Sequence, residues 1–343
     1  MNAQKIDNKP TVKKETKNKI RVDFERTPLK ERLKAKFLSM YFLKKVVWYI
    51  FRLVLLVGIS FIVLYPFFSM ITDSFKAPDD FMNATVRLIP KEFTMNTYKQ
   101  IWIENHYLEA FSNTLLLSLS SALIQTFMCC LVAYGLAKFK FKGNGFVFLA
   151  VIFSLVIPHR TLQIAMNTNF RYFDLFGISG LFGGEGLNLL NTYWPLIILS
   201  IGALGFKNGL YIFMLRQFFK GVPDELEESA YIDGSGVFHT FFTIILPLSV
   251  PMMITVFLFA FSWQWTDNFY TNVFFTSTSE TLLLNKITDV LPKTLPTGDY
   301  GQRYQDAIKG TARIMVVLPL VIMYLFGQKF LVQGIERSGL TAD

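Results

Sequence analysis

Residues 216–251 read RQFFKGVPDELEESAYIDGSGVFHTFFTIILPLSVP, a charged segment set between two apolar runs. Pro223 suits a first helical turn, where its missing N–H costs nothing, and Asp224 and Glu225 complement the positive end of the helix dipole. Gly234 then supplies a C-terminal stop. The spacing predicts a helix from Pro223 to Asp233, about 16 Å long. At about 100° per residue, Glu225, Glu228, Ser229 and Ile232 share one side of it, with Leu226 and Ala230 on the adjoining side. Ser229 and Ala230 are small enough to let another surface come close, and Glu228 offers a charge to a partner's Arg or Lys. On composition alone, an acidic short helix is more often a solvated face.

Outward from this segment the chain is strongly apolar. Of its 343 residues 52% are hydrophobic, 36 of them Phe, which is more apolar surface than one compact soluble core holds. Six stretches, roughly 49–71, 111–136, 144–159, 193–215, 246–266 and 313–333, approach the length of about 20 helical residues that a bilayer demands. The third is short and ends at IPHR, and the fourth contains Lys207, so these two are expected to tilt, break or face protein and water.

Lys and Arg number 34 against 25 Asp and Glu, but 14 of the basic and only 5 of the acidic residues lie in residues 1–47. The excess is thus a topology signal beside the first span, and nucleic-acid binding is the weaker reading. KFKFK at 138–142, with Arg216 and Lys220, marks the same side of the membrane. The fold expected is all-α, a polytopic membrane protein with six transmembrane helices, N-in/C-in, its acidic helix cytoplasmic between spans 4 and 5. Residues 1–47 form a basic cytoplasmic tail, 48–335 the transmembrane domain and 336–343 a C-terminal tail. Within the first, residues 1–26 read as disordered and 28–47 as a basic helix lying on the inner leaflet or a solvated tail.

Catalytic and metal-binding patterns are missing from the sequence. There is no GxxxxGK[ST], HExxH or CxxC, and His106, His159 and His239 are far apart. Cys129 and Cys130 are adjacent in an apolar run and read as small packing residues. No chain of Asp, Glu and His crosses the apolar segments, so any driving energy comes from elsewhere or transport is passive.

Glu228-Ser229-Ala230, three residues, Gly234, nine residues, Ile244, one residue, Leu246-Pro247 resembles the EAA signature of the membrane subunits of ABC importers. AYGLAKFKFKG at 133–143, FMLRQFF at 213–219, ILPLSVP at 245–251 and LPLVIMYLFGQKFLVQG at 318–334 resemble the maltose-type carbohydrate permeases among them. The resemblance implies a permease subunit, itself no enzyme, moving a carbohydrate by alternating access. A non-sugar polar solute such as a polyol or sugar phosphate is the alternative cargo; an autonomous channel or secondary carrier is the alternative class. It further implies a second permease subunit, an ATPase dimer that holds ATP and Mg²⁺ while this chain holds no cofactor or metal, and an extracytoplasmic solute-binding protein, in the bacterial cytoplasmic membrane.

The same resemblance makes the acidic helix a coupling helix. Glu228 is its ion-pairing residue and Gly234 its turn, with Glu225, Ser229, Ala230, Asp233, Ile244, Leu246 and Pro247 around them. Ser229 stands where the family pattern has Ala, and IERSGLTAD replaces a short basic ending. For the cargo path, WQWTDNFY loosely resembles the family's Trp-Asn-acid-aromatic run. It offers Trp263, Gln264, Trp265, Asp267, Asn268 and Tyr270, because aromatic faces cover sugar C–H groups while amides and carboxylates bond hydroxyls. An interfacial aromatic belt is the competing reading of the same residues. Asn113, Gln125 and Asn191 line a path or pack helices.

Overall fold

A computed structural model describes residues 11–15, 21–25, 40–83, 85–174, 177, 186–205, 207–277, 282–288, 290–291 and 302–337. The chain divides into two compact units, Met1–Ser69 and Met70–Asp343.

In the first unit, β1 (Thr11–Glu15) pairs antiparallel with β2 (Arg21–Glu25), Val12 opposite Phe24 and Lys13 opposite Asp23. The expectation of disorder over 1–26 is corrected there, because the register matches β-forming and oppositely charged positions. This hairpin is also the exception, among the described residues, to an otherwise all-helical fold. Helix α1 (Met40–Asp73) begins in the same unit and runs 34 residues, about 51 Å and well beyond the bilayer's hydrocarbon thickness. Its apolar side chains are exposed from Leu43 to Phe68. Residues 40–47 continue straight into the first span with no separate interfacial helix; 28–39 lie outside the described residues.

The second unit opens with two short helices, α2 (Pro78–Met82) and α3 (Asn96–Glu104), before the long α4 (Tyr107–Lys138). α4 is the hub of the unit, packing against α8 (Asn208–Lys220) and α11 (Leu246–Trp265), while α11 packs in turn against α14 (Gln302–Arg337). Small residues on α4, Ala110, Ala122, Cys129, Cys130 and Ala133, are fully buried and let these helices approach. Close approach also fixes Gly209 on α8, where an added Cβ would stand 2.8 Å from the Val151 carbonyl oxygen of α5 (Asn144–Val156).

Pro319 lies inside α14 and cannot donate a hydrogen bond to the carbonyl of Met315, four residues back. The Tyr107 hydroxyl donates to that carbonyl at 2.9 Å, and the Trp265 indole N–H donates to the neighbouring Val316 carbonyl at 2.9 Å. The carbonyl that the proline freed is thereby satisfied from α4, the condition under which proline is tolerated in an apolar medium, and α11 adds a bond one residue further on.

Four described helices are long and apolar enough to cross a membrane: Phe42–Asp73, Tyr107–Lys138, Val237–Trp265 and Gln302–Val332. A fifth crossing is formed if α5 and His159–Arg171, a 3₁₀ turn leading into α6 (Gln163–Arg171), count as one span, their axes meeting at 94°. Pro158 explains the bend, since it disfavours the helical region for Ile157, which is extended at ψ 125°. The expected fourth span, 193–215, is broken, one of the outcomes its lysine foretold. It is two pieces, α7 (Trp194–Ile201) and α8, interrupted by Gly202, by Ala203 at φ 52° and by Lys207. Neither piece alone has the length of a span, so six crossings are not counted among the described residues.

Candidate functional site

The acidic segment folds as α9 (Glu225–Ile232), beginning two residues later and ending one earlier than the sequence spacing suggests. Its C-terminus is a Schellman turn. The Ser235 N–H donates to the Ala230 carbonyl at 2.9 Å and the Gly234 N–H to the Tyr231 carbonyl at 3.0 Å, with Gly234 left-handed at φ 85°. Two orphan carbonyls are satisfied by a conformation that glycine adopts without strain.

Glu225, Glu228, Ser229, Asp233 and Gly234 are exposed, whereas Ala230 is buried. Thus the side expected to face a partner is open to solvent. Glu227 turns the other way. It is 7% exposed and lies beside Tyr134 of α4, with Oε1 making no hydrogen bond among the described residues. Ile232 of α9 at 85% and Phe238 of α10 at 80% exposure are apolar side chains open to solvent. Sequence reasoning placed Ile232 on that side and did not single out Phe238.

From α9 the chain passes through Gly236 into α10 (Val237–Thr240), a single π-helical turn at Phe241–Ile245, and then α11. Ile244 and Leu246 are half-buried and Pro247 is exposed at the start of α11, while Ile245 between them is fully buried. No loop of irregular backbone separates the acidic helix from the span beyond Gly236.

Near the opposite end of α11 lies a cavity of about 310 Å³. Trp263, Gln264, Asp267, Asn268 and Tyr270 line it together with Gln125 of α4 and His159, Lys207, Asn208 and Tyr211. Trp265, grouped with these in the sequence reading, does not line it. That side chain is 1% exposed and bonded to Val316, because residues two apart on a helix point about 200° apart. Asn113 and Asn191 also lie elsewhere. Asn113 Nδ2 donates to the Leu282 carbonyl at 3.0 Å, and Asn191 Oδ1 accepts from the Thr276 N–H at 2.7 Å.

Asp267 caps α12 (Phe269–Phe274), its Oδ2 accepting the Thr271 N–H at 2.9 Å. Burial pushes its pKa up to about 6, although the backbone N–H groups of Thr271, Tyr270 and Phe269 oppose the rise. The Lys207 ammonium lies 3.8 Å from the centroid of the Trp263 ring. Lys207 was read in the sequence as a charge that makes its span tilt, break or face protein and water; its membership of this cavity comes from the fold.

Apolar helices that bend, break and pack around one hub, with a capped surface helix joined directly to a span, define a multi-pass membrane component of the transport type. The chain belongs to the family of binding-protein-dependent transport system inner membrane components, whose pattern matches residues 37–337. It is a multi-pass protein of the cytoplasmic membrane.

Among its relatives, the arabinooligosaccharides transport system permease protein AraQ of Halalkalibacterium halodurans is 28% identical, over 82% of this chain and 92% of that protein. The probable starch degradation products transport system permease protein AmyC of Thermoanaerobacterium thermosulfurigenes is 28% identical, over 81% and 91%. Protein LplC of Bacillus subtilis is 27% identical, over 81% and 89%. The fold resembles a chain in the crystal structure of a bacterial ABC transporter involved in the import of the acidic polysaccharide alginate. The TM-score is 0.65 and the identity 18%, over 83% of this chain and 97% of that one.

Proposed function

We propose that the chain is the permease subunit of an ABC importer that carries a mono- or oligosaccharide inward by alternating access, driven by ATP hydrolysis on a separate subunit. One observation carries this reading. The Schellman-capped α9, with Glu228 exposed, is joined by the four-residue turn 233–236 to α10, which runs through the π-helical turn into α11, and the far end of α11 lines the polar, aromatic cavity. An ATPase dimer that closes on ATP and opens after hydrolysis would move α9 between two positions, and α11 would transmit that motion to the cavity. Sugar-permease relatives such as AraQ and AmyC support the cargo class.

In this reading the broken α7–α8 pair and the bent pair each serve as one crossing, for six in all, with both termini and α9 in the cytoplasm. Glu225, Glu228, Ser229, Ala230, Asp233 and Gly234 form the docking surface, and Ile244, Leu246 and Pro247 join it to the span. A second permease, an ATPase dimer holding ATP and Mg²⁺, and an extracytoplasmic solute-binding protein complete the assembly. A related importer structure, of the alginate transporter, contains an alginate pentasaccharide-bound periplasmic protein. Here Trp263, Gln264, Asn268 and Tyr270 would line the cargo path.

The test is purification of the tagged chain from its membrane. The wild type is expected to retain an ATPase whose turnover rises with a carbohydrate cargo. Glu228→Arg is expected to lose it by charge reversal. Transport that persists without any ATPase would overturn the proposal in favour of a channel or secondary carrier.

A further inference from the structure

Two polar side chains meet at the break between α7 and α8, and neither has a protein partner of matching chemistry. Asn208 is 0% exposed, yet neither its Oδ1 nor its Nδ2 makes a hydrogen bond among the described residues, and it lines the cavity. Its neighbour Lys207 lines the same cavity with its ammonium on the Trp263 ring, and no described carboxylate lies within 4.0 Å of it.

Such groups are rarely left so in a membrane protein, where buried amides are paired and charges meet counter-charges. Asp267, across the cavity, does not answer the lysine, because its carboxylate is engaged in capping α12 through the Thr271 N–H. A neutral sugar offers hydroxyls and C–H faces, for which Asn208, Gln125, Tyr211 and the Trp263 ring are sufficient. Nothing in a neutral sugar matches an ammonium as a carboxylate does.

The geometry points to an acidic saccharide as the cargo of this cavity, with Lys207 taking a uronate carboxylate and Asn208 bonding the adjoining hydroxyls. When the ammonium leaves the Trp263 face for the carboxylate, that face is uncovered for the pyranose ring. Lys207 is then a specificity-determining residue. The inference rests on the carbohydrate-permease reading and narrows it.

The experiment titrates the intact assembly, purified from its own host, with matched neutral and uronate di- and trisaccharides of the galacturonate, glucuronate and mannuronate series. Tryptophan fluorescence reports binding, with Trp263→Phe identifying the contribution of that ring. The wild type is expected to bind at least one uronate oligosaccharide about tenfold or more tightly than its neutral counterpart, as a charge-assisted contact implies. Lys207→Gln should abolish this preference and Lys207→Arg should retain most of it. A preference for neutral sugars in the wild type, or a uronate preference that survives Lys207→Gln, overturns the inference while leaving the carbohydrate reading standing. Binding of neither series by a folded, ATPase-competent assembly overturns the carbohydrate reading and this inference with it.

Discussion

Lys138 and Asp224 form an ion pair at 2.5 Å, and the same ammonium donates to the Val222 carbonyl at 2.7 Å. The last residue of α4 thus holds the residue that precedes α9, fixing the acidic helix to the hub of the helical unit. The lysine side chain is nearly buried while the aspartate is mostly exposed. The Lys138 hydrogen bond and charge, aided by Lys140, hold the Asp224 carboxyl below its ordinary pKa of 3.8.

Lys138→Met is expected to leave the chain folded but loosen α9, lowering cargo-stimulated ATP hydrolysis more than basal hydrolysis in the reconstituted assembly. The pH dependence follows from a depressed carboxylate. The pair is fully present above the ordinary pKa of 3.8 and is lost as pH falls below it. Coupling measured between pH 5 and 8 should therefore not change on account of this pair. A Lys138→Met assembly as well coupled as the wild type would show that the pair does not position α9.

At Gly234 the left-handed backbone, not crowding, sets the cost of substitution. An added Cβ would meet nothing within 4 Å, yet φ is 85°. Gly234→Ala should destabilise the turn by about 1 kcal/mol, Gly234→Asn by less, and Gly234→Val by more. Retention of the ATPase during purification is expected to fall in the order Gly, Asn, Ala, Val. Equal retention in all four would show that the left-handed turn is not needed for docking.

Trp263 and Trp265, two residues apart, should separate function from stability. Trp265→Ala removes a fully buried indole and is expected to destabilise by about 3–5 kcal/mol, read as a loss of melting temperature in detergent. Trp263 is half-exposed beside the cavity, so Trp263→Ala should leave the melting temperature nearly unchanged and weaken cargo binding. The reverse pattern would place the path on the other face of α11.

The proline in α14 allows a double-mutant test. Tyr107→Phe leaves the Met315 carbonyl without its donor and should cost about 1–3 kcal/mol. In a Pro319→Ala background the helix can bond that carbonyl itself, so the same Tyr107→Phe change should cost clearly less. Strict additivity of the two substitutions would disprove the compensation.

Asp267 titrates in the opposite sense from Asp224. Its folded pKa, about 6, stands above the ordinary 3.8, so the folded chain holds the proton more tightly and stability falls as pH rises through that interval. The loss is at most about 3 kcal/mol. Melting temperature should decline between about pH 4 and 6 in the wild type, and more steeply than in Asp267→Asn. Identical slopes would mean that Asp267 is solvated.

The breaks at residues 157–158 and 202–207 were legible because proline, glycine and a lone lysine act on the backbone locally. So were the extent of α9 and its glycine stop, which depend on neighbours a few residues away. The hairpin at 11–25 was missed because two five-residue β segments amid many charges leave no apolar periodicity to read. Six apolar runs suggested six crossings, and an apolar count alone cannot tell a continuous helix from two halves joined at a turn.

By itself the sequence determined that this chain lies in a membrane and that a short acidic helix joins two apolar segments. Each of these follows from composition or from spacings within a few helical turns. Only the tertiary structure decided that Lys138 grips Asp224, that Trp263 and not Trp265 meets the cavity, and that Lys207 and Asn208 open into it. The partners in each case are brought together by helix packing across some 50 to 90 residues of chain. The phase with which one helix meets another is not written in either helix alone.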